Sequence, residues 1–216
     1  MIKAVVFDMD GVIFDSERLV MECWKEIAEK YNIQGIEDAC LESLGVNAKQ
    51  TEEIMYRRYG IDFPYQQYAK EASLLFHNRY DGGRLLKKKG IAELLAYLKE
   101  RNVKLAVASS TRQETVKQEL QDGGLLGFFD CIIGGDMVER SKPSPDIFLM
   151  ACKQLNAVPE DTYVIEDSYN GIRAAYAANM IPIMVPDLVE PTEEIRMLAR
   201  EIFPSLVEVE AFFRQK

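Results

Sequence analysis

Asp8 and Asp10 stand two residues apart in VVFDMDGVIFDSE (5–17), directly behind an apolar run. Like charges this close repel unless something positive lies between them. Three other places carry complementary chemistry: the hydroxyl run Ser109-Ser110-Thr111, Lys142 in RSKPSPDIF, and the pair Glu166-Asp167 that ends VIED. A set of acids without histidine suits a hard cation, and Mg²⁺ is the expected one, held between Asp8 and Asp167. Ser109 and Lys142 would bind the oxygens of a phosphoryl group by hydrogen bond and point charge, with Ser110 beside them. Backbone N–H groups opening the following helix would add donors. The chemistry expected is phosphoryl transfer, in which positioning and charge neutralisation do most of the work. Asp8 is the carboxylate that can attack phosphorus to give an acyl phosphate. Asp10 can protonate the leaving group and then deprotonate the hydrolytic water.

Each piece alone has a plainer reading. A D-x-D after a strand is often a turn or helix cap, and Ser-Ser-Thr is often an N-cap. Lys142 in a proline-rich loop would be solvated, and Glu166-Asp167 would favour a helix N-terminus. Their joint occurrence at strand ends favours the chemical reading.

The elements that must position these groups follow from periodicity. KAVVF (3–7) is a short, valine-rich run that fits a strand buried on both faces. Leu19, Val20, Cys23, Trp24, Ile27, Ala28 and Tyr31 then recur at helical spacing. Further helical segments reach to about residue 79, broken at Gly35, Gly45 and Gly60 to Pro64, with no strand expected between 16 and 80. After the DGG at 81–83 the pattern changes to alternation. Helices are expected over 91–101, 111–120, 144–155, 170–178 and 191–199, the last capped by Thr192. Strands are expected over 103–110, 131–135, 162–167 and 181–185. Strands alternating with helices imply right-handed crossovers and a parallel sheet. The fold class expected is α/β, a doubly wound (Rossmann-like) parallel sheet core with an inserted all-helical cap. The core would span 1–15 and 81–216, and the cap 16–80. In such a sheet, ligands bind at the carboxyl ends of the strands, where the acids, hydroxyls and lysine would meet.

Composition narrows the rest. The 216 residues carry a net charge of −9, which argues against a nucleic-acid partner. No apolar stretch reads as a membrane span, and the first ten residues lack a signal peptide's long apolar centre. A cytoplasmic monomer acting on a small phosphorylated metabolite is expected. Cys23, Cys40, Cys131 and Cys152 are too scattered for a disulfide framework or zinc site, and Cys23 and Cys152 read as core. His77, the single histidine, reads as a helix-end residue. LLKKKGI (85–91) reads as a solvated surface turn, and Phe203 to Phe213 as a core-closing helix.

FDMDGV, VASS, KPSPDIF and IEDSYNGIRAA together resemble the four motifs of the haloacid dehalogenase superfamily, in its β-phosphoglucomutase-like phosphatase branch. The resemblance spans essentially the whole chain. It implies Asp8 as nucleophile, Asp10 as general acid and base, and Ser109 and Lys142 as phosphate ligands. It implies Mg²⁺ held by Asp8, the Asp10 carbonyl and Asp167, with Glu166 nearby, and a mobile helical cap that excludes water. Carbon–halogen cleavage is disfavoured, because dehalogenase relatives lack the acid at Asp10. In the cap, Glu17, Trp24, Asn47 and Lys49 align with substrate-facing positions. The chain departs from the mutases there, with Val20 in place of a histidine and Ala72 near a substrate-contacting lysine. A mutase needs a second phosphate site in its cap, so phosphatase activity on a sugar phosphate is the first expectation and hexose-phosphate mutase the second. A receiver-type signalling module is a remote third, disfavoured by the helical insert.

Overall fold

The computed structural model describes residues 2–216. Valine and alanine place strand β1 (Ala4–Phe7) in the middle of the molecule, with every residue buried. Four helices follow: α1 (Ser16–Tyr31), α2 (Ile36–Glu42), α3 (Ala48–Tyr59) and α4 (Tyr65–Tyr80). The alternating part then runs α5 (Ile91–Glu100), β2 (Lys104–Ala108), α6 (Gln113–Asp122), β3 (Cys131–Ile133) and α7 (Asp146–Leu155). It continues through β4 (Thr162–Glu166), α8 (Tyr169–Ala177), β5 (Ile181–Met184), α9 (Glu193–Leu198), β6 (Glu201–Ile202) and α10 (Leu206–Phe213).

All strand pairs are parallel, in the order β3-β2-β1-β4-β5-β6. The order reverses direction at β1, the place where open α/β sheets take their ligands. The register brings Phe7 level with Val107 and Ile165, so Asp8, Ala108 and Glu166 emerge side by side at one edge. Alternate residues of each strand serve opposite faces. Val5, Phe7, Leu105, Val107 and Ile165 join a core with Leu94, Leu98 and Phe213 of α5 and α10. Ala4, Val6, Ala106, Ala108 and Val164 meet Phe148 and Ala151 of α7 and Ala174 and Ala175 of α8.

The helical region between β1 and α5 contains no strand, as its periodicity implies. Helix α1 buries Leu19, Cys23, Trp24, Ile27 and Ala28 on one face. Trp24 stacks on Tyr65, and Tyr31 packs on Tyr68 at 4.3 Å between ring centroids, joining α1 to α4. The chain leaves and re-enters the sheet domain through two segments that run side by side. The N–H of Asp15 donates to the Leu86 carbonyl at 2.9 Å, and that of Lys88 to the Ile13 carbonyl at 2.9 Å.

Two details differ from the sequence reading. The short edge strand β6 carries only two residues, too few for any periodic signal. Lys88 does not lie in a freely solvated turn: its Nζ sits 2.7 Å from Asp187 Oδ1 and 3.8 Å from Asp15 Oδ1. The antiparallel pairing of the two linkers sets it beside these acids. Cys23 and Cys152 are buried, His77 lies in the last turn of α4, and α10 packs on α5, all as the sequence implies. No helix of the described residues is long and apolar enough to cross a membrane.

Candidate active site

Three acids project from two adjacent strand ends. Asp8 follows β1, while Glu166 and Asp167 close β4, and one oxygen of each lies within 4.8 Å of the others. All three are buried. Lys142 reaches them from the loop before α7, and only 1% of its surface is exposed. Its Nζ donates to Asp8 Oδ1 at 2.6 Å, to Glu166 Oε1 at 2.6 Å and to the Ala108 carbonyl at 3.1 Å. An ammonium has three donors, so all are in use. Burial by itself would lower the Lys142 pKa, but Asp8 and Glu166 outweigh it and hold the lysine charged.

Glu166 was expected near a cation, and it does lie in the acid cluster. Its oxygens, however, are committed. Oε1 takes the Lys142 bond. Oε2 accepts from the N–H groups of Asp167 and Ser168 and from Ser168 Oγ, each at 3.0 Å. The geometry therefore makes Glu166 a clamp on Lys142 and on the turn that carries Asp167, within the same acid cluster. Gly171 makes room for this clamp, since a Cβ there would lie 1.8 Å from Glu166 Cδ.

Asp167 is different. Its Oδ2 is buried and has no hydrogen-bond partner among the described residues. A Cβ on Gly11, whose φ is +77°, would fall 2.3 Å from that oxygen. A bare carboxylate oxygen facing a glycine, beside Asp8, is the donor set that a hard, oxygen-seeking cation requires. No backbone N–H of the described residues donates to the Asp10 carbonyl either. Asp8 and Asp167, with Glu166 in the same cluster, thus fit Mg²⁺. The acids also show what they lack without a counter-charge. Burial pushes Asp8 up to about 8, against the pull of Lys142 and with help from Glu166 and Asp10. Burial, then Glu166 and Asp8, push Asp167 well above the usual carboxylate range.

Asp10 is held by three hydroxyls. Ser16 Oγ donates to its Oδ1 at 2.6 Å. Ser109 Oγ and Thr111 Oγ1 donate to its Oδ2 at 3.2 and 3.1 Å. Ser109 is fully buried and also accepts from the Thr111 N–H at 3.0 Å. Ser110 faces the cleft, and its Oγ donates to the carbonyl of Gly45 in the helical region at 2.9 Å. The roles that Ser16 and Thr111 play around Asp10 were not foreseen. Both are hydroxyls at a helix entry, a pattern that reads as capping until the fold brings them to one carboxylate.

A cleft of 210 Å³ opens above Asp8 and Asp10, lined by Glu17, Trp24, Leu44, Val46 and Ser110 among others. Glu17 and Trp24 both line this cleft. Burial, then the charges of Asp10 and Asp8, raise the Glu17 carboxyl well above its usual range. Asn47 and Lys49 are not part of the cleft wall. Asn47 caps α3 by accepting the Gln50 N–H at 3.0 Å, and its own N–H donates to Ser141 Oγ. Lys49 is exposed on that helix. Asn47 thus holds the start of α3 with its side-chain oxygen, and Lys49 stands outside the cleft.

Residues 5–185 match the model of the family described as haloacid dehalogenase-like hydrolase. The chain belongs to the haloacid dehalogenase-like hydrolases. Within that family it is 34% identical over 183 residues to the phosphorylated carbohydrates phosphatase of Thermotoga maritima, covering 82% of each chain. It is 32% identical over 190 residues to the β-phosphoglucomutase of Bacillus subtilis, covering 85% of this chain and 83% of that one. The crystal structure of CbbY from Rhodobacter sphaeroides in complex with phosphate superposes with a TM-score of 0.80 at 29% identity, covering 97% and 96% of the two chains. The doubly wound sheet with its helical cap region is thus a haloacid dehalogenase-like fold, and the enzyme is a phosphatase-type hydrolase of that family.

Proposed function

We propose that this chain is a Mg²⁺-dependent phosphatase that hydrolyses a small phosphorylated metabolite, a sugar phosphate, through an aspartyl phosphate at Asp8. The observation that carries hydrolysis over mutation is the charge of the cleft. No lysine or arginine lines the chamber above Asp8 and Asp10, and its ionisable walls are Asp8, Asp10, Glu17 and Cys40. A mutase must hold a bisphosphate intermediate, and its second phosphate would need cations that these walls lack. The names of the relatives support a carbohydrate substrate, and one of them is a mutase, which keeps that reading as the alternative.

In this reading, Lys142 fixes Asp8 by its Oδ1, leaving the other oxygen free to attack phosphorus in line with the leaving oxygen. The P–O ester bond breaks as the new P–O bond to Asp8 forms. Asp10, protonated, gives its proton to the departing oxygen. As a carboxylate it then takes a proton from water, whose oxygen attacks the acyl phosphate, releasing inorganic phosphate and restoring Asp8. Ser16, Ser109 and Thr111 aim Asp10. Lys142 can exchange its longest bond, to the Ala108 carbonyl, for a phosphoryl oxygen, and the Ser109 and Ser110 stretch supplies further donors. Mg²⁺ held by Asp8, Asp167 and the Asp10 carbonyl would neutralise the phosphoryl charge. Glu17 would accept a hydrogen bond from a substrate hydroxyl, and Trp24 would wall the sugar. The helical cap would close over the site by bending at the paired linkers.

The test is a phosphate-release assay over a panel of phosphorylated metabolites with Mg²⁺, run with and without a sugar bisphosphate. Phosphate release should dominate in both. Asp8→Asn should lower it by more than about a thousandfold while leaving the melting curve cooperative. Isomer formation that outpaces phosphate release when bisphosphate is present would replace this reading with the mutase one.

A further inference from the structure

The cleft does not end at Asp10. A second chamber of 280 Å³ continues between α1, α4 and α6, and Asp10, Val20, Trp24 and Thr111 form the wall common to both chambers. Helix α4 turns Ala69, Ala72 and Ser73 toward it, and these short side chains leave the space open. Trp24, Tyr65 and Phe76 supply aromatic surface. At the α6 side stands Glu119, which the phosphoryl chemistry does not use. Its Oε2 is buried and has no hydrogen-bond partner among the described residues. Burial, then the charges of Asp10, Asp81 and Asp122, push its carboxyl up to about 8. No lysine or arginine lines this chamber, and its one histidine, His77, pairs with Asp81 at 2.8 Å.

These features fix what the chamber can hold. Asp10 serves the leaving oxygen, so the departing alcohol lies on the Asp10 side and extends into this space. Aromatic walls favour a flat ring over a charged group. The unpaired oxygen of Glu119 requires a donor, because a buried acceptor left without one is unfavourable. Building on the phosphatase reading, we propose that the second chamber receives a ring carried by the phosphorylated sugar, and that Glu119 selects substrates whose ring presents an N–H or O–H donor. Glu119 is then a specificity residue, supplied by the sheet domain rather than by the cap. A second phosphate is refused in the same space.

Three probes separate the contributions in a phosphate-release assay with Mg²⁺. Uridine 5′-monophosphate has a ring with an N–H, phenyl phosphate a ring without a donor, and glycerol 3-phosphate neither. The kcat/KM for the uridine ester should exceed that for phenyl phosphate by at least about tenfold. Glu119→Leu should collapse that ratio, and Glu119→Gln, which keeps an acceptor oxygen, should restore part of it. Ala72→Leu narrows the chamber and should lower both ring esters relative to glycerol 3-phosphate. A uridine-to-phenyl ratio unchanged in Glu119→Leu, ring esters not lowered relative to glycerol 3-phosphate in Ala72→Leu, or a preference of the unaltered enzyme for glycerol 3-phosphate, each overturns the inference and leaves the phosphatase reading standing. Release of phosphate from none of the three probes overturns this inference, and the phosphatase reading falls with it only if no ester of the wider metabolite panel is hydrolysed either.

Discussion

Lys142→Met keeps the apolar stem and removes the ammonium, whose Nζ lies 5.1 Å from the Phe148 ring centroid. The lysine is 1% exposed, and its partners Asp8 and Glu166 are 6% and 0% exposed, so both ion pairs are shielded from water. Removing one partner of a buried pair costs about 3–5 kcal/mol, because the other charge is left behind. Two carboxylates lose a partner here, but the losses do not double. Glu166 keeps three donors on its Oε2, and Asp8 can relieve itself by taking up a proton. A total of about 3–5 kcal/mol therefore stands, and at ~2–4 °C per kcal/mol for a chain of this size the melting temperature should fall by roughly 6–20 °C. Scanning calorimetry in metal-free buffer reads this directly. Adding Glu166→Gln removes one of the stranded charges and should recover at least about 1 kcal/mol in a double-mutant cycle. Phosphate release should fall by about 10²–10³-fold, as for loss of one charged donor at a reacting oxygen. A melting temperature within about 2 °C of the unaltered protein would refute the reasoning, since it would mean the lysine is not the counter-charge on which these acids depend.

Gly171→Ala should be among the most damaging small substitutions, because its Cβ would overlap the Glu166 carboxyl. A loss above about 3 kcal/mol is expected in denaturant titration, against less than about 1 kcal/mol for Gly127→Ala, where nothing lies within 4 Å. The metal-free protein should lose stability as pH rises. Asp8 goes from an ordinary 3.8 to about 8 on folding, so the folded state binds its proton more tightly. That contribution is whole below the unfolded value and is lost as pH climbs through about 8, and Asp167 and Glu17 act in the same direction. Carboxylates held below their ordinary values, such as Glu194 beside Arg173, change stability only at lower pH. Melting temperatures measured from pH 5 to pH 8 without metal should therefore decline. Added Mg²⁺ should raise them more at pH 8 than at pH 5, and a flat or rising metal-free profile would contradict this.

Much of the fold was legible in the chain itself. Continuous valine-rich runs can only be buried strands, and helical spacing between them forces parallel crossovers. The long helical stretch after the first strand therefore had to be an insert. The residues that follow strands, Asp8, Asp10, Ser109, Glu166 and Asp167, were readable for the same reason: strand ends in a parallel sheet share one rim. What the sequence could not show was how each group spends its hydrogen bonds. Glu166 and Asp167 are neighbours of like charge. Only the tertiary structure gives one of them to Lys142 and the 167–168 turn and leaves the other's oxygen bare beside Gly11. Asn47 and Lys49 belong to the loop and helix beside the cleft, and only the structure shows that Asn47 caps α3 and that Lys49 is exposed. Ser16 and Glu119 carried no chemical signal, and Thr111 read only as part of a hydroxyl run that could equally be an N-cap. A hydroxyl at a helix entry and an acid on an amphipathic helix are common locally. They acquire meaning only when chain segments up to a hundred residues apart are packed around one carboxylate and one cleft.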